Sequence, residues 1–219
     1  ILFYVNGRIR VQDKFTGAIG ALNTTTDNFW ANQRSSGTSD PRVRFDRLTN
    51  RWFVIMIDVA NVNRILVACS DGPTITAGTV WNKFFFQHDL VGTTPNVDTG
   101  GFADYPSLGV DANALYIGTN TFVGNNLNCS GFVIRKSSVT SGGPLVVTPF
   151  RAMGTNGAAG PLAPQGCDND DPAATEGYFI GVDTLAFSRL QIRRISNPGG
   201  VPSISGNLTL NVPTTAFAA

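Results

Sequence analysis

A pattern about sixty residues long occurs twice in this chain, and such a pattern demands a fold that repeats one structural unit. The first copy opens with Asp40-Pro41-Arg42-Val43-Arg44-Phe45-Asp46 and turns at Leu48-Thr49-Asn50. Apolar runs at residues 51–57 and 64–69 follow, separated by Asn61-Val62-Asn63, and a last run covers residues 80–86. The second copy opens with Asp104-Tyr105-Pro106-Ser107-Leu108-Gly109-Val110-Asp111 and continues through residues 114–119, 131–136 and 145–150. Each copy reads as Asp and Pro, a short strand ending in Asp, a turn, an apolar strand, a loop and two further strands. A weaker third copy runs through residues 177–183, 189–195 and 207–212, with Asp183 in the place of Asp46 and Asp111. Ahead of them, Asn6-Gly7 between two apolar runs signals a hairpin.

Sets of four strands with a common opening predict an all-β, β-propeller-like fold. About four blades of four antiparallel strands are expected, in units near residues 1–39, 40–100, 101–160 and 161–219. A β-sandwich or jelly roll also yields regularly spaced strands, but it gives no reason for the same opening in successive units. Composition agrees with many short strands: Gly 24 and Pro 12 supply turns, while Lys occurs three times and Glu only once, at Glu176. A long amphipathic helix is hard to place. Charged residues are 14% of the chain against roughly 25% in an average soluble domain.

Net charge is +1 and no basic run exceeds Arg193-Arg194, which excludes nucleic acid as the expected partner. No apolar run approaches the ~18 residues that cross a bilayer, so no membrane span is expected. The chain opens at Ile1 with no initiator Met or signal peptide, as a mature, cleaved or partial form would, so targeting is not read from its start. Low charge and abundant Thr, Asn and Gly suit a secreted, extracellular protein.

The opening residues 40–46 with Arg51-Trp52-Phe53-Val54, then Phe102-Ala103-Asp104-Tyr105-Pro106 with Leu108-Gly109-Val110-Asp111 and Tyr116-Ile117, resemble a family of large secreted bacterial proteins. These are sialidase-like (BNR-type) β-propellers without assigned activity, and residues 11–17 resemble the start of that family's units. The resemblance implies architecture rather than chemistry. Such rings hold about six or seven blades, so this chain is expected to be part of a larger ring or of an assembly. Ser70-Asp71-Gly72 with Trp81 is similar to the sialidase Asp-box, with the Trp displaced by several residues.

Asp40 and Asp104 occupy one place in successive units. In a propeller they would converge at the mouth of the channel, where carboxylates are able to hold Ca²⁺. The alternative is that each Asp caps its own turn. Asp46, Asp111 and Asp183 read as Asx-turn residues. The acidic loop with Asp168, Asp170 and Asp171 has the alternating Asp and Asn of a calcium loop, without the Gly and distal Glu of an EF-hand, and is otherwise a solvated loop. No other cofactor is indicated.

Arg42 and Arg44 are candidate binding residues facing the channel, since arginine reads carboxylates bidentately. Their alternation with apolar residues also describes an ordinary exposed strand face. Trp30, in a loose polar segment, is the aromatic expected to be exposed for sugar stacking, whereas Trp52 and Trp81 read as packing between sheets. Cys69 reads as a buried small hydrophobe. Cys129 and Cys167 fall in Asn-, Gly- and Asp-rich loops, where they either pair as a disulfide or remain free thiols.

His88 is the only histidine, and no Gly-x-Ser-x-Gly elbow accompanies it, so enzymatic activity is not the leading expectation. The function expected is a non-catalytic extracellular scaffold or binding module for a glycan, a cell surface or copies of itself. The alternatives are a propeller glycosidase using Asp residues at the channel mouth, or a subunit of an extracellular fibre or coat.

Overall fold

The strands form where the apolar runs lie between turn residues. Asn6-Gly7, with Gly7 at φ +82°, joins β1 (Leu2–Val5) to β2 (Arg8–Gln12), and β3 (Ile19–Thr24) completes a first antiparallel sheet. A short helix, α1 (Thr26–Phe29), follows, its first turn capped by the Thr25 hydroxyl accepting from the Asn28 N–H. The second sheet is the meander β4 (Thr38–Asp46), β5 (Arg51–Asp58), β6 (Arg64–Ser70) and β7 (Trp81–Gln87).

The third sheet contains β8 (Phe102–Asp104), β9 (Gly109–Val110), β10 (Ala114–Val123), β11 (Asn126–Arg135) and β12 (Val147–Thr155), with α2 (Lys136–Thr140) ahead of β12. The fourth contains β13 (Pro161–Gly166), β14 (Glu176–Asp183), β15 (Arg189–Ser196), β16 (Ser203–Ile204) and β17 (Leu208–Asn211). The computed structural model describes residues 1–216, and these are organised as four antiparallel sheets in chain order.

Four strands per unit holds for the second sheet alone. The first sheet has three strands, and the third and fourth have five. The extra strands are interruptions: β8 and β9 both pair with β10, and β16 and β17 both pair with β15, so each pair shares one position in its sheet. The weaker copy is also shifted. Its residues 177–183 form the second strand, because β13, with Pro161 and Pro164, precedes them. Proline reads as a loop signal, yet it is tolerated here because β13 pairs on one side only. Asp183 therefore matches Asp58, which ends β5, rather than Asp46.

The sheets stack face to face, and the alternation of side chains decides which neighbour each residue meets. Val54 and Met56 of β5, with Leu66 and Ala68 of β6, pack against Leu2, Tyr4, Ile9 and Trp30 of the first unit. The intervening Phe53, Ile55 and Ile57, with Ile65 and Val67, pack against Leu115, Ile117, Phe132 and Ile134 of the third sheet. In turn Ala114, Tyr116 and Val133 meet Phe179 and Ile195 of the fourth. The second and third sheets are thus buried on both faces, which is why β5 and β6, and the parts of β10 and β11 at residues 114–117 and 132–134, read as apolar runs.

Each junction carries an asparagine clamp from the earlier sheet onto the first strand of the next. Asn6 Oδ1 accepts from the Asp40 N–H at 2.8 Å. Buried Asn63 both accepts from the Ala103 N–H and donates to the Ala103 carbonyl, each at 2.8 Å. Asn120 Oδ1 accepts from the Ala163 N–H at 3.0 Å. Backbone also meets backbone between the third and fourth sheets. A Cβ on Gly118 would run into the Pro164 carbonyl, so only glycine allows this approach.

Candidate functional site

The first strand of each of the last three sheets breaks at one recurring feature, a non-glycine residue at positive φ followed by proline. Asp40-Pro41 (φ +57°), Tyr105-Pro106 (φ +52°) and Ala163-Pro164 (φ +45°) occupy these positions. The ladder slips between Ser39 and Arg42 and between Leu162 and Gln165, and it is interrupted between β8 and β9. This alignment corrects the equivalence of Asp40 with Asp104: the counterpart of Asp40 is Tyr105. Asp104 sits one residue earlier, where its carboxylate accepts from the Tyr105 N–H at 2.8 Å. Asp40 accepts from the neighbouring Ser39 hydroxyl at 3.0 Å. Both carboxylates are held by local bonds.

Beyond the bulge, β4 runs beside β9 and the loop that follows β13, and charged side chains meet there. Arg44 Nε lies 2.7 Å from Asp168 Oδ2, and Arg47 Nη1 lies 3.3 Å from Asp170 Oδ2. The other Asp168 oxygen accepts from the Val110 N–H at 3.0 Å, which ties the loop to the third sheet. Arg42 lies over the Tyr105 ring, 5.3 Å from its centroid. A crevice of about 190 Å³ is lined by Arg44, Phe45, Asp46, Arg47, Val110, Asp168 and Asp170. Asp171 instead accepts from the Ala173 N–H in an Asx turn.

Of the two readings of the acidic loop, calcium loop or solvated loop, the side-chain arrangement resembles the second. Asp168 and Asp170 face arginines, and among the described residues no three acidic, histidine or cysteine side chains converge on a point that would hold a metal ion. A ligand carboxylate reaching Arg44 would have to compete with Asp168.

A buried polar network underlies this crevice. Lys136 Nζ is 2.7 Å from Asp46 Oδ2 and also donates to the Asp111 carbonyl. Asp111 accepts from the Tyr116 hydroxyl at 2.6 Å and from the Asn113 and Ala114 N–H groups at 2.7 and 2.8 Å. Burial, reinforced by the Asp111 carboxylate, holds the Tyr116 hydroxyl far above its ordinary pKa, so it stays protonated and donates to Asp111. The Asx-turn reading of Asp46, Asp111 and Asp183 describes all three: they accept from Leu48, Asn113 and Leu185 two residues on. Lys136 was missed as the centre of this network. It is one of only three lysines and ends an apolar run, which is the signal that would have found it.

Trp30 is fully buried, contrary to the exposure expected of it. Its indole N–H donates to Tyr4 Oη at 2.7 Å, and the ring meets Phe29 edge-on at 5.0 Å. Its polar neighbours in sequence concealed partners that arrive from β1. Trp52 and Trp81 pack at the same junction, as expected.

The three cysteines are separate thiols, which removes the Cys129–Cys167 pairing. Cys129 lies within β11 rather than in a loop, opposite Asn120 of β10, whereas Cys167 follows β13 in the next sheet. Burial pushes the Cys69 and Cys129 thiols up to about 11. Burial and the adjacent Asp168 raise Cys167.

His88 opens the connection from β7 to β8 and is buried, with Nε2 3.0 Å from the Gly101 carbonyl, so the ring proton sits on Nε2. Burial holds its pKa below the ordinary value. Arg151 braces the same connection through the carbonyls of His88 and Val91, both at 2.8 Å, and through buried Asp98. No helix among the described residues is long and apolar enough to cross a membrane. No family model, curated protein or solved structure matches the chain.

Proposed function

We propose that this chain is a non-catalytic extracellular scaffold or binding module, built as a sector of a β-propeller-like ring. Successive sheets stack in chain order, and their first strands abut in series, β1 to β4, β4 to β9 and β9 to β13. Such a series is what blades around one axis produce. The observation that carries the non-catalytic reading is the pairing of Arg44 with Asp168 and Arg47 with Asp170. The charges that a glycosidase would direct at a substrate neutralise each other, and the ion pairs close the loop after β13 onto β4. The low charge and the Thr-, Asn- and Gly-rich surface favour an exterior location.

The test has two arms. Aryl glycosides, an aryl sialoside among them, are expected to hydrolyse no faster with the protein than in buffer. Turnover abolished by Asp168→Asn or Arg44→Ala would establish the glycosidase instead. The binding arm is a glycan array, on which retention is expected to respond to substitutions at Arg42 and Arg44.

A further inference from the structure

Each internal junction of the stack joins the forward face of one sheet to the backward face of the next. Among the described residues, two faces are left over. On β14, Phe179 points back to the third sheet, while Ile180 and Val182 point forward, away from it. The register sets Leu162 and Leu190 beside Val182, and Leu210 beside Leu190. It also sets Ile192 beside Ile180, and Leu208 beside Ile192. Two aliphatic rows therefore cross the forward face of the fourth sheet. Val182 is 53% exposed and Leu210 48%. The β14–β15 turn extends the surface with Leu185, over a hollow of about 440 Å³. At the other end of the stack, Phe3, Val5 and Ile19 of the first sheet are exposed, while Leu2, Tyr4 and Ile9 face the second sheet.

We infer that the forward face of the fourth sheet packs on the backward face of the first sheet of a second copy of this chain. Repeating the junction found three times within the chain places a backward face on Ile180, Val182, Leu190 and Leu210. Among the described residues, the first sheet is the one whose backward face is open. The two surfaces differ, so the contact is heterologous and propagates a ring or an open array rather than pairing one surface with itself. Val182, Leu208 and Leu210 leave the rows exposed to solvent, and a contiguous apolar surface of this kind is where a partner docks. The inference rests on the propeller-sector reading, and it supplies that scaffold with a partner.

Sedimentation velocity on the 219-residue chain over a range of concentrations tests it. The wild type is expected to form species of two or more chains. Val182→Lys in the fourth sheet and Val5→Lys in the first should each raise the concentration needed for association at least about tenfold. Leu210→Lys provides a second substitution on the outermost strand, and circular dichroism verifies folding in each variant. An equimolar mixture of Val182→Lys and Val5→Lys should regain a two-chain species, because each variant keeps one intact face. A monomeric wild type at every concentration would overturn the inference, as would unchanged association of Val5→Lys or a mixture that stays monomeric. None of these results depends on turnover, so failure here is distinct from failure of the non-catalytic reading.

Discussion

Lys136 Nζ lies 2.7 Å from the Asp46 carboxylate, with the two side chains only 5% and 3% exposed, so one ion pair bolts α2 of the third sheet to the end of β4 in the second. Removing one member of such a pair strands the other charge in a dry site. Lys136→Met is expected to destabilise the protein by about 3–5 kcal/mol in urea denaturation. Asp46→Asn combined with Lys136→Met should lose less than the sum of the single changes, because no lone charge remains.

Asn63 tests the clamps. Its carboxamide satisfies both the N–H and the carbonyl of Ala103 in a buried setting, and alanine would leave both without a partner. A loss of about 1–3 kcal/mol for each group is expected for Asn63→Ala. Asn6→Ala, at the exposed clamp on Asp40, should change stability by much less. Equal effects in thermal melts would show that the clamps do not act through burial.

Gly118→Ala tests the contact between the third and fourth sheets. The added methyl meets the Pro164 backbone rather than a flexible side chain, so the sheets must part. Overpacking of about 1–3 kcal/mol is the expected range, and a backbone obstacle places it at the upper end. Gly7→Ala offers a comparison: no atom obstructs its Cβ, but its φ of +82° still strains a side chain.

Stability should fall in mild acid through His88. An unfolded histidine takes up a proton near pH 6.5, whereas burial resists protonation of His88 in the folded chain. Below about pH 6.5 the unfolded state binds more protons, so stability declines with falling pH until the lower folded pKa is reached. His88→Gln should flatten that decline. Asp183 adds a later loss. Burial acts to raise its pKa, but the Leu185 N–H, the Gln191 amide and Arg189 outweigh it and hold it low. Its stabilisation is present above about pH 3.9 and disappears as pH falls through the folded value. Urea midpoints from pH 7 to pH 3 separate the two losses.

Thiol reactivity should follow burial. Cys69 and Cys129, held near 11, are expected to react with an aromatic disulfide reagent only after unfolding, and Cys167 ahead of them. Mobility on non-reducing gels should match that of the reduced protein. A shift under oxidising conditions would instead indicate a disulfide.

The strands of the second sheet and the all-β class were legible because they depend on short-range signals. The unbroken run from Phe53 to Ile57 announces a strand buried on both faces, and Asn6-Gly7 announces a hairpin. β13 was not legible, since Pro161 and Pro164 in a one-sided strand look the same as in a loop. At the candidate site, residue type nominated Arg44 and Asp168. Their pairing across 124 positions of sequence left no local trace.

What the sequence by itself determined is the repeating strand pattern and the Asx turns at Asp46, Asp111 and Asp183, because alternation and turn chemistry act within a few residues. Tertiary structure alone decided that Trp30 is buried, that Asp40 matches Tyr105, that Cys129 stays a free thiol, and that Lys136 neutralises Asp46. Each of these depends on which sheet face arrives opposite, and the physical reason is that burial and charge pairing are set by neighbours brought together only when the sheets stack.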